Sequence, residues 1–394
     1  MLGFCFNFSW NSLFNPFYLT LPPPTNLTFP FSFHLSSLHL YGIPEHATSA
    51  SLKSTKGPNA AYSDPYRLYN LDVFEYDLDT PMALYGAVPF MVSNSRENSV
   101  GVFWNNPSET FVDVRDVDVD ESTGGSHGKG KGKGKGKSTH WMSESGVFDV
   151  FLLPGGSSSS SNSNSNSNSN SNSNSNRVAE LYSQYGSIVG KVALPPLFSL
   201  GYHQCRWNYK DERDVAAVHG KFEELDYPYD VLWLDIEHTD GKRYLTWDKH
   251  LFPDPKAMQE KLWAQGRRMV AIVDPHVKRA GDYYIHTEAQ AKELYVKDED
   301  GTTDYNGYCW PGDSSYLDFT ADHVRDWWSD QFSLDKYVGS TPSLYVWNDM
   351  NEPSVFNGPE VSMQKSKKNL AGVEHREVSG SGSGSGGSTT YHTA

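Results

Sequence analysis

The chain has 394 residues, enough for two domains or for one barrel with attachments. A formal net charge of −15 disfavours nucleic acid or an anionic membrane surface as the main partner. No stretch approaches the ~18 consecutive apolar residues that cross a bilayer, so no membrane span is expected.

Residues 1–55 form an unassigned leader. The first 52 contain no Lys or Arg, and the apolar content from Met1 to Leu21 is interrupted by Asn7, Asn11, Asn15 and Pro16. A secretory signal wants a basic start and an unbroken apolar core, so no convincing signal peptide is present.

Residues 56–176 read as an N-terminal β-sandwich domain. Leu68 to Tyr76 alternates apolar and polar side chains, as a half-buried antiparallel strand does. Ala87 to Val92, Ser99 to Trp104, Thr110 to Val114 and Trp141 to Leu153 repeat that habit. Two low-complexity insertions interrupt it. Gly128 to Lys137 alternates Gly and Lys, and Ser157 to Asn176 is a Ser/Asn tract; both read as flexible, solvated loops.

Residues 177–378 read as the first half of a barrel, and from Leu197 the period changes. Helical segments are expected at Asp211 to Leu225, Asp254 to Gln265, Glu288 to Leu294 and Ala321 to Phe332, alternating with apolar strands. Strand, helix, strand, helix implies βαβ units on a parallel sheet. Three apolar runs, Tyr229–Asp235, Met269–Asp274 and Ser343–Asp349, each end on an aspartate. Such runs read as strands buried on both faces, and an acid at the carboxyl end of one stands where α/β sheets and barrels place their chemistry. Residues 379–394 are a Gly/Ser-rich tail with no means of joining a core.

The residues themselves leave several readings open. Asp349 and Glu352, three apart in Trp347-Asn348-Asp349-Met350-Asn351-Glu352-Pro353, suit a catalytic loop or a loop cap. A carboxylate nucleophile needs a rigid strand-end position and apolar walls. Glu352 reads as the supporting member. Asp235 would accept hydrogen bonds from substrate hydroxyls, and Asp274 would orient the groups around it, with Val277 and Trp310 as walls. Trp310 suits core packing and ring stacking equally. Glu237, His238 and Asp240 match no standard metal-ligand spacing, so no metal is expected and His238 reads as a hydrogen-bonded loop residue. Cys205 and Cys309 fall near strand ends, where a disulfide is conceivable.

The segments Gly201 to Tyr209, Asp235 to Asp248 and Trp347 to Gly358 resemble glycoside hydrolase family 31. Tyr66 to Met91 and His140 to Leu153 are similar to the β-sandwich that precedes the barrel in that family. The resemblance implies retaining hydrolysis of terminal α-linked glucose on a (β/α)8 barrel, without a cofactor. By motif, Asp349 is the nucleophile and Asp235 grips the glucose. Trp347, Met350, Ile236, Val277 and Trp310 wall the pocket, and Asp274 joins them as a substrate-binding residue.

In the family the acid/base lies past the segment matching Glu374 to Val378, where this chain leaves the pattern. The expected fold is therefore α/β, an incomplete (β/α)8 (TIM) barrel after an all-β sandwich domain, with no acid/base and no turnover. The resemblance further implies a glucosylated N-glycan substrate, the endoplasmic reticulum lumen and a separate β-subunit as possible partner. Starch or other α-glucans are the alternative substrates. The rivals are a non-catalytic carbohydrate-binding fragment and a chain that does not fold stably.

Overall fold

The computed structural model describes residues 4–5, 17–21, 30–35, 37–73, 76–95, 99–120, 133–155 and 172–356. Two compact units divide after Leu194. Each is built on its own periodicity.

Among the described residues the first unit has ten strands: β1 (Phe4–Cys5), β2 (Phe17–Leu21), β3 (Pro30–Leu35), β4 (Leu40–Gly42), β5 (Tyr66–Leu68), β6 (Phe90–Asn94), β7 (Ser99–Trp104), β8 (Thr110–Asp120), β9 (Lys133–Ser143) and β10 (Phe148–Pro154). They form two sheets, β1-β3-β9-β8-β5 and β2-β10-β7-β6-β4. Every second residue faces the shared core, as the strand period dictates. Phe31, Phe33, Leu35, Val112 and Val114 come from one sheet; Val102, Trp104, Val150 and Leu152 come from the other. Trp104 and Trp141 stack with centroids 5.5 Å apart. Each buried indole N–H finds an oxygen, on Ser143 at 2.9 Å and on Thr139 at 3.1 Å.

The intervening residues Phe90, Val92, Phe103 and Leu153 face outward and are covered by helix α1 (Asn172–Val189) through Leu181 and Tyr185. Tyr185 stacks on Phe90 at 4.1 Å. Residues 177–189, expected to open the barrel, thus belong with the sandwich. The apolar pair four residues apart on one helical face is the cause.

Other expectations on this unit also change. The leader is not external: β2 pairs with β10, β3 with β9, and β4 with β6. The last residues of the Gly-Lys tract are strand, because its alternation meets an alternating acid partner. In the β8–β9 register Asp116 stands opposite Lys137 and Asp118 opposite Lys135, and Lys137 reaches Asp116 at 3.2 Å. Opposite charges directly across a ladder stabilise it. Likewise, the end of the Ser/Asn tract begins α1, while 157–171 lie outside the described residues. Among the described residues of the alternating run Leu68 to Tyr76, only Leu68 is in a strand; Leu71 and Val73 instead pack in a small cluster with Ala83.

The second unit begins its sheet at β11 (His203–Gln204), followed by α2 (Glu212–Glu224), β12 (Val231–Leu234), α3 (Pro255–Ala264) and β13 (Arg268–Ile272). Then come β14 (His276–Lys278), α4 (Tyr284–Ala291), β15 (Gly307–Cys309), β16 (Gly312–Tyr316), α5 (Asp322–Asp330) and β17 (Leu344–Trp347). The sheet β11-β12-β13-β17 is parallel throughout, the partial barrel expected from the βαβ pattern. Between β13 and β17 the chain inserts a small antiparallel sheet, β14-β16-β15.

Helix starts follow local chemistry. Asp211 caps α2 by accepting from the Asp214 N–H at 2.8 Å, and Asp254 caps α3, which has Pro at its first position. The helix expected at Glu288 to Leu294 lies earlier, at α4, because Ile285 and Ala289 are the buried pair one turn apart. Glu293, with φ of 57°, stands beyond its end.

The third apolar run is not buried on both faces. β17 is an edge strand among the described residues, and Tyr345 and Val346 stay exposed. Residues 357–394, including the tail and the Glu374 to Val378 segment, lie outside the described residues. Among the described residues, no helix is long and apolar enough to cross a membrane.

Candidate active site

Parallel pairing puts the carboxyl ends of β12, β13 and β17 side by side, with β13 in the middle. Each strand delivers an acid just past its end: Asp235 after β12, Asp274 after β13 and Asp349 after β17. They sense one another. Burial raises the Asp235 carboxyl above its ordinary range, helped by Asp349 and Glu237, while the Ile236 N–H opposes the rise. That N–H donates to Asp235 at 2.7 Å and starts a short helical turn, Ile236–His238. Burial likewise pushes Asp274 up to about 8, with Asp349, Asp235 and Glu352 adding to the rise and the Tyr244 hydroxyl opposing it. Mutually repelling carboxyl groups in a shielded place cannot all stay charged at neutral pH.

The loop after β17 is tied down from several sides. The Asn351 side-chain amide donates to the Asp349 carbonyl at 2.7 Å, and the Ser354 N–H donates to the Met350 carbonyl at 3.0 Å. Tyr316 on β16 donates its hydroxyl to the Ser354 carbonyl at 2.8 Å. The Phe356 N–H bonds the Tyr308 carbonyl of β15 at 2.8 Å. Met350 sits at φ 61°, left-handed backbone that costs a side-chain-bearing residue on the order of 1 kcal/mol. Met350 directly follows Asp349, so the strained position adjoins that acid. Glu352 is half-buried in this loop and bears on Asp274 electrostatically.

Aromatic side chains stand on the strands and turns that carry the acids or pack beside them. Trp347 meets Trp233 edge-on at 5.2 Å, and Trp233 donates its indole N–H to His203 at 2.9 Å. Trp310, in the turn between β15 and β16, packs edge-on against Phe356 at 4.8 Å. It also lies near the exposed Trp207, at 6.4 Å, whose indole N–H reaches Glu237 at 3.3 Å. Ile236 and Val277 are not open walls: both are buried in the hydrophobic core of this unit. Val277 stands on β14 opposite Ser315.

Sequence reasoning missed Tyr244 and His276, which contact Asp274, as well as Trp207 and Phe356. Tyr244, Trp207 and Phe356 meet partners distant in sequence, so no spacing marks them; His276 lies two residues past Asp274, and only the fold shows that its ring approaches that carboxyl. His238 is the hydrogen-bonded loop residue expected, with Nδ1 on the Asp235 carbonyl at 2.8 Å and its ring against Trp247. Burial holds its imidazole down to about 4. No three His, Cys, Asp or Glu side chains among the described residues are grouped to hold a metal. Cys205 is exposed, Cys309 is buried, and no disulfide joins them.

Comparison with known proteins adds three kinds of likeness. Residues 192–381 match the model of the glycosyl hydrolases family 31 TIM-barrel domain, and residues 20–113 match that of the glycosyl hydrolase 31 N-terminal galactose mutarotase-like domain. Neutral alpha-glucosidase AB of Dictyostelium discoideum is 54 % identical over 355 residues, covering 90 % of this chain and 34 % of that protein. A probable glucan 1,3-alpha-glucosidase of Arabidopsis thaliana is 52 % identical over 356 residues, covering 90 % and 36 %. The crystal structure of the ER glucosidase II complex, a catalytic subunit with the binding domain of a regulatory subunit, superposes with a TM-score of 0.73 at 44 % identity, covering 84 % of this chain and 33 % of that one. The chain spans about a third of the length of these relatives.

Proposed function

The chain belongs to glycosyl hydrolase family 31 through both of its matched regions, and from that premise we propose that it carries the nucleophile half of a retaining α-glucosidase of the glucosidase II type. The supporting observation is the row of three strand-end acids, Asp235, Asp274 and Asp349, with Asp349 in a tied and strained loop. In this reading the Asp349 carboxylate attacks the anomeric carbon of a terminal α-linked glucose and forms a glycosyl ester. Asp235 grips the sugar hydroxyls. Trp347, Trp310 and Met350 line the sugar's faces, Ile236 and Val277 back them from the core, Asp274 sets the charge of the mouth, and Glu352 supports the loop.

Retention also needs a second carboxyl group about 5–5.5 Å from the nucleophile, to protonate the departing oxygen. The family resemblance assigns that role to no residue of this sequence. The 394-residue chain by itself is therefore proposed to bind glucose-like ligands without hydrolysing ordinary glucosides. Loss of a positioned general acid alone costs typically ~10²–10⁴-fold.

The proposed substrate is the glucosylated N-glycan, in the endoplasmic reticulum lumen, with a glucosidase II β-subunit as partner. The ER glucosidase II complex, which pairs a catalytic with a regulatory subunit, supports the last two points.

Titration with a glucose-configured iminosugar tests this reading without requiring turnover. The ring cation is expected to bind saturably, and Asp235→Asn to weaken it ~10–100-fold, the scale of one charged hydrogen bond. A mannose-configured analogue should bind more weakly. No saturable binding, or binding indifferent to Asp235→Asn, would overturn the assignment.

A further inference from the structure

Beneath the acid row, three buried side chains touch one another without meeting a positive charge. Tyr244 donates its hydroxyl to Asp274 Oδ2 at 2.5 Å, and the same hydroxyl lies 3.0 Å from His276 Nε2. His276 Nε2 is 3.4 Å from that carboxyl oxygen, and both of those side chains are fully shielded from solvent. Asp274 Oδ1 and His276 Nδ1 meet no hydrogen-bond partner among the described residues.

The surrounding groups offer no counter-charge. Facing Asp274 are Asp235 from the end of β12, and Asp349 and Glu352 from the loop after β17. Facing Tyr244 are Cys309 on β15 and Tyr283 just before α4, and Tyr316 on β16 lies edge-on to His276. His276 is the one basic group within ion-pair range of Asp274 among the described residues, and burial holds its ring uncharged, down to about 3. An ionised Asp274 would be a buried charge with one bare oxygen and acids for neighbours, an arrangement that costs several kcal/mol. A single proton removes that cost.

We propose that the shielded place of Asp274, with no counter-charge beside it among the described residues, keeps it in the mouth as a neutral carboxylic acid, leaving Asp235 and Asp349 as the charged members, and that Tyr244 and His276 are positioning residues that fix its Oδ2. The Tyr244 hydrogen bond limits the rise of that carboxyl. The tyrosine hydroxyl fixes Oδ2, the imidazole fixes the tyrosine, and Oδ1 remains open. A neutral group in the middle of the row spares its flanking acids a like-charge neighbour, so Asp349 ionises more readily. That benefit to a nucleophile rests on the hydrolase reading above. The protonation state does not, and it can be read without turnover.

Infrared spectroscopy of the full chain labelled with ¹³C-carboxyl aspartate tests the proposal. A protonated-carboxyl band is expected at pH 7, titrating near the value of about 8 given above for Asp274, and missing from Asp274→Asn. In Tyr244→Phe the band should titrate at higher pH, because the lost hydrogen bond favoured the ionised form. A role confined to packing would leave that titration unmoved. Absence of the band from the wild-type chain at pH 7, its survival in Asp274→Asn, or an unchanged titration in Tyr244→Phe would each overturn the inference. Asp274→Glu, which places an unlabelled carboxyl at the same position, makes the same assignment where Asp274→Asn fails to fold: the labelled band should vanish from it, and its survival there would equally overturn the inference.

Discussion

Replacing Asp349 with asparagine is expected to slow fluoride release from α-glucosyl fluoride on the order of 10⁴-fold, the scale on which a covalent catalyst loses its nucleophile. The substrate is chosen for its leaving group. Fluoride departs as an anion and needs no proton, so the step does not depend on a general acid. Asparagine has nearly the shape of aspartate, and the Asp349 backbone carbonyl still accepts from the Asn351 side chain. Unchanged folding with lost fluoride release would place the chemistry on the carboxylate. Equal rates in the two proteins would place it elsewhere. An alkyl glucoside, whose oxygen must be protonated to leave, should remain uncleaved by both.

Asp274→Asn is expected to change the dependence of stability on pH more than any other single substitution in the mouth. Because burial raises this carboxyl to about 8 in the folded state, the folded chain holds its proton where the unfolded chain has released it. Stability therefore falls as pH climbs from the ordinary carboxylate value, ~4, toward 8, by about 1.4 kcal/mol per pH unit at full separation. Below ~4 and above about 8 this contribution is flat. Asparagine carries no proton to lose and removes the slope. Urea unfolding at pH 5 and pH 7.5 should show the variant gaining on the wild type by roughly 2–3 kcal/mol between the two. Other titrating groups act in both proteins and largely cancel in the difference. Equal gains at both pH values would mean that Asp274 is ionised throughout.

What could be read from the sequence divides along physical lines. The three apolar runs ending on Asp235, Asp274 and Asp349 announced a parallel sheet with acids at one end of its strands, because a run of adjacent apolar residues is a local signal, although the third run proves only partly buried. The capped helices α2 and α3 were legible for the same reason: Asp211 and Asp254 act within their own turn. Features that depend on a distant partner were not legible. The Gly-Lys tract looks unstructured alone, and its strand exists because β8 presents acids in matching register. Tyr244 reaches Asp274 and His276 from 30 and 32 residues away, across a helix and a strand. Likewise, Val277 reads as a pocket wall from its place after Asp274, yet β14 turns it into the core against β16.

The central claim is that Asp349 is a glycosylated nucleophile, and mass spectrometry of a trapped intermediate tests it most directly. Incubation with 5-fluoro-α-glucosyl fluoride, followed by proteolysis and peptide sequencing, should find one hexosyl adduct, on Asp349 in the peptide containing Trp347 to Pro353. The sugar forms its ester as fluoride leaves, and the ring fluorine slows the ester's hydrolysis. An adduct on Asp235, on Asp274 or on no residue, from a chain that still binds the iminosugar, would contradict the account.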